Sequence, residues 1–230
     1  MENTALLNAA QSIMDSYYQD YAPADGFFRI EDFAEWVAKA YGKYADEVAK
    51  EIYKSSLAEM GVGQIVFAQD WWAKKEVEIK NESGEYSAPL DFKYMGFTYD
   101  NQTSGIQEIM PVGDKGNCGS FMRTTLSELW ITGNMSRNNI VWWYTDFDKL
   151  KFKTDSNCNP KKVAIYYIPT PEDDQFKIPP SKQFEIGTMA FNFMLSAKKE
   201  TPFIDMTNNA NKNITPQTET DLKTAKPVCT

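Results

Sequence analysis

The sequence predicts an α+β fold: N-terminal helices, one of them long, then a central antiparallel β-sandwich or distorted barrel, then a C-terminal helix and an extended tail. Three observations predict it. Apolar residues recur every three or four positions over residues 30–60, short β-branched and aromatic runs separated by turn residues fill residues 76–169, and helical spacing returns after Pro180. A single structural unit is expected over residues 1–203: a helical part (1–61), a β-rich part (62–170) and a last helix within 180–200. A polar tail follows over 204–230.

Taken in order, Thr4 to Tyr18 places Leu6, Ala9, Ile13, Met14 and Tyr17 on one stripe, a short amphipathic helix. Pro23 and Gly26 mark the turn after it. A second helix is expected from Ile30 to Met60, where Phe33, Val37, Tyr41, Tyr44, Val48 and Ile52 share a face. Glu35 with Lys39 and Asp46 with Lys50 stand at i,i+4 on the solvated side, and Gly61 suits a C-cap. At about 1.5 Å per residue such a helix is about 45 Å long, which implies either packing on a neighbouring subunit or an interruption at Gly42.

Residues 62–72 are apolar and fit a strand or a buried helical segment equally. Glu76 to Lys80 alternates strictly and leads into Asn81-Glu-Ser-Gly84, a strand entering a hairpin. Further strands are expected at Pro89–Tyr99, Ile106–Val112, Leu126–Thr132, Asn139–Thr145, Leu150–Lys153 and Lys162–Pro169. Pro171-Glu-Asp-Asp makes a turn, and Pro179-Pro-Ser starts the last helix, to about Lys199, with Ser181 as its N-cap. Phe184, Ile186, Met189, Phe193 and Met194 are available there for burial.

Charge and chemistry narrow the function. With 32 acidic and 24 basic residues the net charge is −8, which disfavours a clamp on nucleic acid. The polar start of the chain lacks the charge and apolar run of a secretory signal, and no apolar run approaches the roughly 20 residues that cross a bilayer, so a soluble product made in the cytoplasm is expected. Histidine is absent, which removes His-dependent triads and the usual zinc and iron ligand sets. Cys118, Cys158 and Cys229 are far apart and in no C-x-x-C arrangement, so they read as isolated thiols, with neither a disulfide framework nor a zinc site.

Other motifs carry little. Gly113 to Ser120 is glycine-rich but lacks the order of a Walker loop. Asp146 with Asp148, and Glu172-Asp-Asp174, lack EF-hand spacing and read as solvated turns. Sequons at Asn81, Asn101, Asn134 and Asn213 read as chance occurrences. No catalytic residue, cofactor or metal site is expected. The tryptophan doublets Trp71-Trp72 and Trp142-Trp143 stand in strand-like contexts, where one ring faces inward and the other outward. With Phe184, Phe191 and Phe193 they form the candidate interface residues. The doublets also motivate the alternative reading, a carbohydrate-binding or host-adhesion module.

The stretches Lys162 to Pro169, Phe176-Lys-Ile-Pro-Pro-Ser181 and Phe184 to Ala197 resemble the closing segment of phage head-to-tail connector and tail-ring proteins. Phe27 to Trp36 and Val141-Trp-Trp-Tyr-Thr145 resemble structural proteins of crAss-like phages that infect gut Bacteroidales. The resemblance implies a virion protein made in the host cytoplasm, one ring of a twelvefold stack below the portal that joins capsid to tail. The implied partners are copies of itself in a dodecamer and the neighbouring portal or tail-ring proteins. DNA would pass non-specifically, and no membrane would be involved.

Overall fold

Two helices, α1 (Thr4–Tyr17) and α2 (Ile30–Met60), form where the apolar spacing places them. The computed structural model of the protein describes residues 4–17, 29–60, 65–82, 84–99, 102–103, 105–113, 118–124, 140–146, 148–154 and 158–197. On α1, Ala10 and Ile13 are fully buried, while Leu6, Ala9 and Met14 pack against the same cluster. On α2, Phe33, Val37 and Tyr41 are fully buried, and Tyr44, Val48 and Ile52 pack half-buried beside them. The interruption entertained at Gly42 does not occur: α2 is continuous for 31 residues. A glycine in a helix interior costs only about 1 kcal/mol, less than a single large side chain gains by burial on either side. Lys39 lies 4.1 Å above the Trp36 ring, and Lys43 pairs with Glu47 at 3.8 Å on the exposed side.

Residues 65–68 are irregular and lead into a 3-10 turn, Gln69–Trp71, so the strand or helix expected between 62 and 72 is neither among the described residues. Strand β1 (Ala73–Glu78) follows, then the hairpin of β2 (Lys80–Glu82) and β3 (Glu85–Pro89). Asn81 Oδ1 accepts a bond from the Gly84 amide at 3.0 Å across that turn, and Gly84 takes φ of 90°, which a side chain would resist. The strand expected over Pro89–Tyr99 is wrong. After Pro89 the chain bends, Tyr94 makes an isolated bridge to Pro169, and only Thr98–Tyr99 forms a short strand, β4, paired with β5 (Gln102–Thr103). Its apolar residues are spent on packing: Phe92 and Phe97 enter two different cores from an irregular backbone.

The remaining strands fall within a few residues of expectation: β6 (Ile106–Pro111), β8 (Val141–Asp146), β9 (Lys149–Lys153) and β10 (Lys162–Tyr167). β7 (Phe121–Arg123) has no counterpart in the sequence-based expectations, and the strand expected at Leu126–Thr132 lies outside the described residues, as do Gly61 and the tail. β1, β10 and β6 make a three-stranded antiparallel sheet with β10 in the middle. Val163, Ile165 and Tyr167 share the face of β10 that enters the core, while on the opposite face Ala164 is buried between half-buried Lys162 and Tyr166. The second sheet runs β2-β3-β9-β8-β7, antiparallel except for the parallel pair β7 and β8. Among the described residues no sheet closes into a barrel. One apolar cluster draws Val77 and Ile165 from the first sheet and Trp143, Leu150 and Phe152 from the second.

The last helix, α3 (Gln183–Ala197), is preceded by a 3-10 turn, Pro180–Lys182. Ser181 is therefore not its N-cap. It sits inside the 3-10 turn, and its hydroxyl donates to Asp70 Oδ2 at 2.7 Å, tying this turn to the one before β1. α3 buries Ile186, Ala190 and Met194 in the cluster that holds α1 and α2.

The cysteines are not the isolated thiols expected from the sequence. Cys118 and Cys158 form a disulfide, Cα atoms 4.9 Å apart, across a sequence separation of 40. Cys118 stands just before β7 and Cys158 just before β10, so the bond joins the two sheets. Sequence spacing gave no sign of it, because the proximity is made by topology.

Candidate functional site

The tryptophan doublets each split between core and periphery. Trp71 is 2% exposed at the centre of an aromatic cluster: its ring centroid lies 5.6 Å from that of Tyr41, 5.1 Å from Phe67 and 6.2 Å from Tyr44, to which it is parallel. Trp143 is 4% exposed in the core between the sheets, with the Arg123 guanidinium 5.7 Å from its ring. Both rings are covered by the protein's own core. Trp72 is half-buried, its ring 5.8 Å from Tyr166, and its Nε1 donates to the Phe67 carbonyl at 3.0 Å. Trp142 is half-buried on the opposite face of β8 from Trp143. Neither doublet therefore offers two adjacent open rings.

Phe184, Phe191 and Phe193 are all half-buried on α3. Phe191 packs 4.6 Å from Phe33, and the Lys43 ammonium lies 5.4 Å from the Phe193 ring. Phe191 and Phe193 line the seam between α2 and α3, and all three residues remain partly exposed.

A buried hydrogen bond fastens the helical layer to the segment that follows β10. Tyr41 donates to the Pro169 carbonyl at 3.2 Å, and its ring meets Phe176 edge-on at 4.8 Å. Burial raises the Tyr41 phenol well above its ordinary range, so it remains a donor. Next to it lies Asp173, which corrects the expectation of a solvated acidic turn: it is 3% exposed. Its Oδ1 accepts from the Tyr167 hydroxyl and the Gln175 amide, both at 2.9 Å, and its Oδ2 accepts from the Lys93 amide at 2.7 Å. Burial, then the Asp173 charge, pushes the Tyr167 phenol upward, so the proton stays on tyrosine. Among the described residues no group of three or more potential metal ligands gathers.

The exposed apolar residues lie elsewhere. Leu57 and Met60 on the last turns of α2 are 46% and 61% exposed, Val66 is 59%, Met110 on β6 is 41% and Met122 on β7 is 44%. Sequence reasoning missed them, although Tyr53, Leu57 and Met60 continue an i, i+4, i+7 spacing that could have flagged the helix end. The edge strand β1, by contrast, is guarded by charge. Glu76 accepts from Lys162 and from Lys74, each at 2.7 Å, which holds its carboxyl down at about 2.

No protein-family model matches the chain, and no curated protein is significantly similar to it. No helix among the described residues is long and apolar enough to cross a membrane.

Proposed function

We propose that the chain is a virion structural protein that assembles with copies of itself into a ring of a bacteriophage head-to-tail connector or tail. One observation carries this. α2 outruns the core it belongs to: its buried residues are Phe33, Ala34, Val37, Ala40, Tyr41, Ala45, Ala49 and, in the last three turns, Ser56 alone, while Leu57 and Met60 stand in the open. A helix of about 46 Å that keeps apolar residues past its own core is suited to a neighbouring subunit. The half-covered phenylalanines on α3 offer a second such surface. A closed ring needs two different faces on each copy, because its contacts are heterologous.

The rest of the proposal follows from the resemblance to connector proteins: twelve copies, portal or tail-ring neighbours, and a channel past which DNA slides along an acidic wall. The two sheets with their shared core form an open sandwich in this proposal, and the protein works through contacts rather than catalysis. The test is the mass of the assembled species. The native chain should run as a large oligomer, and Leu57→Asp with Met60→Asp should release folded monomer. A double variant that assembles as well as the parent removes α2 as the contact.

A further inference from the structure

We propose that this fold is completed by oxidation: the Cys118–Cys158 disulfide is a redox lock that holds the edge strand β7 to the three-stranded sheet. The surface around β7, with Met122, is then fixed only in the oxidised protein.

The geometry sets β7 apart. It is three residues long, among the described residues it pairs only with β8, and its three side chains are half-buried or exposed, so none of them is a fully buried anchor. Its backbone is fastened by a short run that includes Val141 N to Ser120 O and Thr124 N to Trp143 O, both 2.9 Å. The bond that ties this strand to the other sheet is the disulfide, whose sulfurs sit inside the core between the sheets, Cys118 at 5% and Cys158 at 2% exposure. β6, the neighbouring edge, touches β7. Opened, the two cysteines fit the same apolar space as small thiols, so the core tolerates reduction while the 40-residue loop loses its covalent closure.

The chemistry balances through exchange with a small disulfide. With β7 loosened from the sheets in the reduced protein, the Cys118 thiolate comes within reach of oxidised glutathione and attacks it, releasing one glutathione thiol. The second cysteine then displaces the other glutathione, so the protein loses two protons and two electrons while the reagent gains them as two thiols. In reducing surroundings the pair stays open, and it closes where the glutathione pool or an equivalent disulfide is oxidising.

The experiment uses the full chain on a Cys229→Ser background, so that only these two thiols report. Protein made in a reducing cytoplasm should show two alkylatable thiols by intact mass, and none after treatment with oxidised glutathione. Amide hydrogen exchange over residues 118–124 and Val141 should then slow by about tenfold or more, while Ile79 and Val112 in the other sheet change by less than about twofold. The Cys118→Ser, Cys158→Ser variant should keep the faster exchange whatever the oxidant. Thiols that stay free after the oxidant, a disulfide already closed in the reducing cytoplasm, or equal exchange at β7 in both states would each overturn the proposal.

Discussion

Asp173 brings a carboxylate into a region where it is 3% exposed, and each of its bonds secures a different stretch of chain: β10 through Tyr167, the segment after β3 through Lys93, and its own turn through Gln175. Asp173→Ala should lower stability by about 3 kcal/mol, because one buried and two part-buried donors lose their acceptor, while Tyr167→Phe should cost about 1 kcal/mol. Urea unfolding of both variants checks the order. At the surface, Glu76 makes a pH prediction. Its folded pKa lies below the ordinary 4.5, at about 2, so the stability it lends is present above pH 4.5 and fades as pH falls toward 2. Glu76→Gln should flatten the acid dependence in that window, and a carboxyl carbon titration should place the Glu76 midpoint well below those of its neighbours. Neither role was legible in the sequence. Three acids in a row do not reveal which one faces inward, and Glu76 meets Lys162 only because β1 pairs with β10.

Among the elements, the helices were the most legible, since a 3.6-residue period repeated over 31 residues leaves little ambiguity. What the sequence left open there was Gly42. A Cβ at that position meets no heavy atom within 4 Å, so Gly42→Ala should stabilise the protein by about 0.5–1 kcal/mol, read as a higher thermal midpoint. Gly105 is the opposite case. A Cβ there would run into the Met95 carbonyl oxygen, where Met95 and Gly105 both bond to Ile168 across a tight crossing. Gly105→Ala should cost about 2 kcal/mol or more, because the atom it strikes is backbone. Strands were legible where β-branched and aromatic residues run together, as in β10. They were not legible in Pro89–Tyr99, where aromatic residues serve packing, nor in β7, whose three residues carry no pattern.

For the whole molecule, the α+β class was legible, and the join between its parts was not. Trp71, Tyr41 and Phe176 fasten the helices to the sheets, while the disulfide fastens the sheets to each other, and each contact spans long stretches of sequence. Closing a loop of 40 residues should contribute about 4 kcal/mol, so the reduced protein should unfold at clearly lower denaturant than the oxidised one. Of the candidate interface residues, the two whose burial is nearly complete, Trp71 and Trp143, were indistinguishable by sequence from their partners Trp72 and Trp142. The apolar end of α2 is left as the surface that most needs a neighbour. Negative-stain imaging of the purified protein, alone and mixed with a portal ring, tests this most directly. Closed rings that stack on the portal are the predicted result; a compact monomer that never docks would contradict it.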